Sequence, residues 1–179
     1  MTRLGDWMQT ASGRQFWPID PRADEIYIED IAHALSHLCR FGGHCLRFYS
    51  VAEHCVHLSQ SVPREHALWA LLHDASEAYL VDVPRPIKPA LTGYREAEDR
   101  IMSAVCERFG LPTDMPEAVK LADTAILTDE ANQNMAAPPV VWSTRGEPLG
   151  VTLQCWTPGR ARTEFLGAFH RIVMEEILQ

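Results

Sequence analysis

Leu71-Leu72-His73-Asp74-Ala75-Ser76-Glu77-Ala78-Tyr79 is the stretch on which the reading of this chain turns. It continues the almost wholly apolar run Ala67-Leu68-Trp69-Ala70-Leu71-Leu72, so a helix here enters a protein core before it presents an imidazole beside a carboxylate. Neighbouring helical residues lie about 100° apart, so His73 and Asp74 share one edge and Glu77 returns to it as i+4 and i+3 partner. Burying the pair unsatisfied costs several kcal/mol. A divalent metal removes that cost, because it takes the neutral imidazole nitrogen and the ionised carboxylate oxygen together. By itself the doublet reads equally well as a core histidine tied to a helix-turn aspartate.

Upstream, the capping-box pattern Ser50-Val51-Ala52-Glu53 starts a helix that stops at Pro63, with the serine and the glutamate each satisfying a backbone donor. It carries His54 and His57. An earlier helix is expected at about 30–40, capped by Asp30, with Ile31, Leu35 and Leu38 on one face and Gly42-Gly43 as its end. His33 and His37 stand i,i+4 on it, but Ala34 replaces the glutamate of the metalloprotease pattern, which leaves solvent or packing roles. Residues 1–27 read as an arm with turns or a short hairpin. The doublet helix spans about 64–80. Its prolines make Val81-Asp82-Val83-Pro84-Arg85-Pro86-Ile87-Lys88-Pro89 a stiff extended loop. Helices follow at about 93–109, stopped by Gly110, and at about 115–134, opened by a weaker capping box of Asp114 and Glu117. A long ordered loop at 135–157 holds a possible strand, Val151–Cys155, and Thr157-Pro158 opens a last helix to about 178. The expected architecture is an all-α, single-domain bundle over residues 1–179.

At 179 residues and 46% hydrophobic, the chain supports one sizeable core. A formal charge of −8 argues against binding a nucleic acid polymer. Five scattered cysteines without a CxxC pair suggest neither a disulfide framework nor a zinc ribbon, and fit reduced thiols in the cytoplasm. The start lacks an apolar signal region and no run approaches a membrane span, so a soluble protein is expected.

A histidine from the second helix and Asp123, conspicuous among Val119, Leu121, Ala122, Ile126 and Leu127, would complete a metal site with the doublet, since bundles build such sites where helices converge. Spacing does not choose His54 over His57 or His33. Two histidines and two carboxylates suit Mn, Fe, Co, Ni or Zn.

The ordered pattern His … His-Asp … Asp resembles the HD-domain metal-dependent phosphohydrolases over nearly the whole chain. The blocks that carry the resemblance are Cys39-Arg40-Phe41-Gly42-Gly43-His44, Phe48-Tyr49-Ser50-Val51-Ala52-Glu53-His54, His73 to Tyr79, Asp82-Val83-Pro84-Arg85-Pro86-Ile87-Lys88 and Val119-Lys120-Leu121-Ala122-Asp123. The chain looks similar to small bacterial and phage-borne members, among whose relatives are 5'-deoxynucleotidases and phage dATP triphosphohydrolases. The resemblance implies an HD-type bundle, a divalent ion (Mn, Co, Zn, Fe, Ni or Mg) on His54, His73, Asp74 and Asp123, and a nucleotide substrate. It also implies Glu77 beside the attacking water and Asp82 as a second acidic residue. Arg40-Phe41 occupies the place of a substrate-contacting Arg-Trp pair. Phenylalanine can still stack on a base or sugar, but it lacks the indole N–H, so discrimination between deoxyribose and ribose is not carried over.

Physical reasoning fits those roles. A metal lowers the pKa of its bound water for attack on phosphorus, Glu77 can orient that water or shuttle its proton, and Asp82 can hold a sugar hydroxyl or the leaving group. Arg40 and Lys88 can neutralise phosphate charge, whereas Arg85 and Arg47 read as solvated. The expectation is a phosphohydrolase of a mono- or triphosphate nucleotide. Alternatives are an HD hydrolase of an alarmone or cyclic nucleotide and a non-catalytic nucleotide-binding regulator. A homodimer or larger assembly is expected, because Trp142 and Trp156 on one loop are hard to bury in a small bundle and relatives associate.

Overall fold

The N-terminal arm folds as a tight antiparallel hairpin, β1 (Met8–Gln9) against β2 (Gln15–Phe16), with Met8 opposite Phe16. The computed structural model describes residues 2–140, 142 and 146–177. Phe16 is fully buried and stacks on Tyr79, centroids 3.8 Å apart, so the arm is sealed to the core beside the histidine-aspartate doublet. The rest is mostly helical, 57% helix against 4% strand, as an all-α fold requires. No helix among the described residues is long and apolar enough to cross a membrane. All five cysteines are free thiols.

Helix α1 (Ile28–His37) starts two residues before the expected position, and Asp30 is not its cap. The Asp30 carboxylate instead accepts the Ser12 amide and hydroxyl, both at 2.7 Å, which ties the first turn to the hairpin tip. The helix ends at His37, and Gly42-Gly43 belong to a separate 3-10 turn, Arg40–Gly43. Helix α2 (Val51–Ser61) begins at Ser50, whose hydroxyl accepts the Glu53 amide at 3.1 Å. It packs against α1 and against the helices Ala67–Leu72, Glu117–Asn134 and Pro158–Ile177, and is buried along almost its whole length.

Only half of the expected capping box forms. The fully buried Glu53 carboxylate reaches across to residues a hundred positions away and accepts the amides of Gln154, Cys155 and Trp156 at 2.7, 2.8 and 2.6 Å. The expected strand at 151–155 is therefore absent as a ladder. Side chains take over its pairing: Glu53 on one side, and Gln133, which accepts the Leu153 amide at 3.0 Å and donates to the Val151 carbonyl at 2.8 Å. Asp129 holds the Leu149 amide at 2.6 Å in the same way. Charge-assisted bonds of this kind contribute about 1.5–3 kcal/mol each. Glu53→Ala is expected to lower unfolding free energy by about 2–3 kcal/mol, since the half-exposed amides can turn to water. Urea unfolding is the check, and a loss under about 0.5 kcal/mol would mean that the segment is anchored elsewhere.

The doublet helix is not continuous. A 3-10 turn (Arg64–His66) leads into α3 (Ala67–Leu72), and α4 (Glu77–Leu80) follows after a tightened turn. Through that turn the amides of Ala75, Glu77, Ala78 and Tyr79 donate to carbonyls three residues back, at 2.9, 3.0, 3.2 and 3.0 Å. Three residues per turn eclipse i and i+3. Glu77 is thus set over Asp74 rather than fanned away from it. The loop after α4 turns instead of running extended: the Pro84 carbonyl accepts the Ile87 amide at 3.0 Å and the Lys88 amide at 3.3 Å.

Helix α5 (Tyr94–Phe109) ends at Gly110 in the left-handed region, as its sequence predicts. Helix α6 (Glu117–Asn134) begins at Glu117 with no side-chain cap, so the Asp114/Glu117 box does not form. Helix α7 (Pro158–Ile177) is capped by the Thr157 hydroxyl, which accepts the Arg160 amide at 3.4 Å. The expected end near 178 lies outside the described residues. The core has two parts that meet at Met102 and Leu111, one under α1, α2 and α7 and the other between α2, α3 and α6.

Candidate metal centre

His54 sits in the first turns of α2, His73 and Asp74 follow α3, and Asp123 comes from α6. These separate elements bring their side chains to one point. His54, His73 and Asp123 each offer a ligand atom within 4.8 Å of the others, and this group could hold a metal ion. Asp74 Oδ2 lies 3.2 Å from His73 Nε2 and 3.8 Å from His54 Nε2, and Asp123 Oδ1 lies 3.3 Å from His54 Nε2 and 3.8 Å from His73 Nε2.

Outer contacts decide which nitrogen of each ring is free. His73 Nδ1 is 2.8 Å from the Ala70 carbonyl, and His54 Nδ1 is 2.7 Å from Glu130 Oε1. Both oxygens can only accept, so each Nδ1 carries its proton and donates. The two Nε2 atoms, 3.2 Å apart, then face one another and two carboxylates. In neutral imidazoles these are four acceptors with no donor, an arrangement that calls for a proton or a metal ion among them. Asp74 Oδ2 is buried without a hydrogen-bond partner. The donor set therefore fits a divalent ion.

The electrostatics of the chain alone describe the same negative pocket. Burial opposes charge on His73, yet the charge of Asp74 outweighs it and lifts the imidazole well above its ordinary pKa. His54 is also lifted, against burial and the Arg40 charge, by Glu130 and Asp123. Burial alone would raise the carboxyls, but the imidazoles hold Asp74 far below the usual range and Asp123 at about 2.

Glu130, not singled out by the sequence, belongs to the same buried cluster through His54. It is fully buried on α6, two turns beyond Asp123, and its second oxygen accepts from Arg40 Nη2 at 3.1 Å. Arg40 and then His54 overcome its burial and hold it at about 2. Arg40 is buried too, with Nη1 3.7 Å from Asp74 Oδ2. It braces two carboxylates of the centre. Its neighbour Phe41 takes a left-handed backbone, φ 57°, uncommon for a residue with a side chain, and its ring lies 6.0 Å from that of Trp142.

Glu77 is 4% exposed, with Oε2 buried and unpartnered and Oε1 3.8 Å from Lys88 Nζ. Burial, then the charges of Asp74 and Asp82, lift its pKa well above the carboxylate range. Asp82 is raised in the same sense, chiefly by burial. Lys88 is bound to Glu98 at 2.9 Å. Arg85, read from sequence as solvated, donates Nη2 to Asp123 Oδ2 at 3.0 Å. Arg47 is exposed, as expected.

The other histidines go elsewhere. His57 stacks on Trp156 with centroids 5.7 Å apart and Nε2 3.5 Å from Glu53, and His33 stacks on His37 at 4.3 Å. Trp156 lies on His57 and Trp142 beside Phe41, and both tryptophans are half-buried within the chain. Cys55, His73 and Asp74 form a second conceivable ligand group. Burial pushes the Cys55 thiol to about 11, and the thiol faces Nδ1 of His73, the nitrogen already donating to Ala70. We set that group aside.

Fold and site together define a mostly helical protein with a buried histidine-aspartate cluster able to hold a metal ion. The chain belongs to the family of the uncharacterized protein YfdR of Escherichia coli (strain K12), to which it is 46% identical over 124 residues, 69% of this chain and 70% of that protein. It is also 40% identical over 141 residues to the uncharacterized protein RCAP_rcc00048 of Rhodobacter capsulatus, covering 71% and 72% of the two chains. No protein-family model matches the chain.

Proposed function

We propose that this chain is an HD-type phosphohydrolase that cleaves a phosphate bond of a nucleotide, with a divalent ion on His54, His73, Asp74 and Asp123. One observation carries the reading: two imidazoles with Nδ1 committed as donors turn their remaining nitrogens toward two carboxylates, beside a third, buried carboxyl on Glu77. A binding module has no need of that third group. When bound, the ion lowers the pKa of a water and withdraws charge from a phosphate oxygen.

The chain supplies the rest. Glu77, with an unpartnered oxygen and a pKa lifted above the ordinary carboxylate range by burial and by Asp74, can accept and return a proton at higher pH than an exposed glutamate does. Lys88, hydrogen-bonded to Glu98, stands 3.8 Å from Glu77 Oε1 and offers its charge to that carboxyl. Asp82, half-buried and close enough for its charge to act on Glu77, takes a hydrogen bond from a sugar hydroxyl or leaving group on this reading. Arg40 keeps Glu130 and Asp74 aimed, and the Phe41 and Trp142 rings offer an apolar face to a base or sugar.

The test is to incubate the protein with nucleoside mono-, di- and triphosphates, cyclic nucleotides and alarmones in a divalent-metal series, and to identify products by chromatography. Metal-dependent release of phosphate, pyrophosphate or triphosphate from a nucleotide, abolished by chelator, is expected. Turnover of cyclic nucleotides or alarmones alone would move the substrate class. No product from any of them with any metal would reject the reading.

A further inference from the structure

Among the described residues, Arg40, Lys88 and Arg85 carry positive charge to the centre, and they differ sharply in what they have left to give. The Arg40 side chain is 11% exposed and divided between Glu130 and Asp74. Lys88 is 29% exposed and shared by Glu98 and Glu77. The Arg85 side chain is 59% exposed, and its one hydrogen bond among the described residues is from Nη2 to Asp123 Oδ2 at 3.0 Å. The other oxygen of that carboxylate faces the imidazoles. Arg85 is thus coupled to the metal centre through a single carboxylate and is the most exposed of the three cations, with donors left for an anionic ligand.

Its attachment to the chain is firm. Pro84 and Pro86 restrict the backbone on both sides, the Pro84 carbonyl accepts the Ile87 and Lys88 amides, and Tyr94 Oη donates to the Val81 carbonyl at 3.0 Å. Pro84 also approaches the Arg40–Gly43 turn, where a Cβ on Gly42 would meet its Cγ at 3.9 Å. A guanidinium fork has donors for two oxygens at once in fixed geometry.

We infer that Arg85 is the phosphate-receiving side chain of this site: one arm of the fork stays on Asp123 while the other donates to a phosphoryl oxygen of the incoming ligand. The inference rests on the phosphohydrolase reading for its ligand class and adds a substrate-contacting residue to it. A guanidinium that only steadied Asp123 would be expected to cover it, with few donors left to solvent.

The experiment titrates inorganic phosphate into manganese-loaded wild type, Arg85→Ala and Arg85→Lys by calorimetry, with manganese affinity measured separately by chelator competition. The expected result, read at saturating manganese so that any weaker hold on the ion through Asp123 does not enter, is a phosphate Kd at least about tenfold higher in Arg85→Ala and intermediate in Arg85→Lys. An unchanged phosphate Kd overturns the inference. So does a loss of manganese affinity with normal phosphate binding at saturating manganese, which would mean that Arg85 only positions Asp123. Absence of phosphate binding by the loaded wild type overturns it as well. Phosphate binding through Arg85 without turnover of any nucleotide would sustain the inference and remove the hydrolase reading. Nucleotide turnover with an indifferent Arg85 would do the reverse.

Discussion

Glu77→Gln is expected to lower kcat by about 10²–10⁴-fold, the range a positioned general acid or base supplies. The substitution keeps shape and removes only the capacity to hold and release a proton. Metal content and nucleotide binding should persist, because Glu77 lies outside the ligand cluster. Stability should hold or rise: Oε2 is buried without a partner and the carboxyl faces Asp74 and Asp82, so the native residue is held at a cost to the fold. The pH profile separates this role from a structural one. A base works when deprotonated, and the Glu77 pKa is raised, so wild-type kcat should fall as pH drops through a value above the ordinary carboxylate range. That limb should disappear in Glu77→Gln. Unchanged kcat in the variant would return Glu77 to a packing role.

The second large effect is expected at Glu130. Glu130→Gln leaves an oxygen for His54 Nδ1, but then turns an amide N–H₂ toward the Arg40 guanidinium, donor against donor. Removing one partner of a buried ion pair costs about 3–5 kcal/mol. Loosening the outer partner of a ligand histidine costs about 10–100-fold in metal affinity. Both losses should appear together, the first in urea unfolding and the second in chelator competition on protein shown folded by circular dichroism. Wild-type values for both would mean that Glu130 neither fixes the His54 tautomer nor anchors Arg40.

Three helix ends were legible because each carries its own signal: Ser50 before α2, the Thr157-Pro158 pair before α7, Gly110 after α5. The four residues proposed as ligands stand out in the sequence only as an ordered set. Nothing local distinguishes His54 from His57, one turn on and equally embedded in apolar sequence; what separates them is Glu130 on one side and Trp156 on the other, both remote in the chain.

Long-range pairing explains the misses. Ser50-Val51-Ala52-Glu53 is the same string whether the glutamate returns to its own helix or, as here, binds amides at 154–156. Thr128-Asp129-Glu130 looks like a solvated helix face, yet all three are buried, because α6 spends its polar residues on the loop at 146–150 and on His54. The one available signal for Glu130 was its spacing, seven residues and two turns from Asp123 on the same face. Arg85 had none, since its partner is 38 positions away.

The central claim is that the converging atoms of His54, His73, Asp74 and Asp123 hold one divalent ion. Elemental analysis of protein purified without chelator tests it most directly, with wild type beside Asp74→Ala and Asp123→Ala, each confirmed folded. The account predicts close to one equivalent of a transition metal per wild-type chain and a large loss in both variants. No bound metal in the wild type, even after reconstitution with manganese, cobalt or zinc, or full occupancy in both variants, would contradict it.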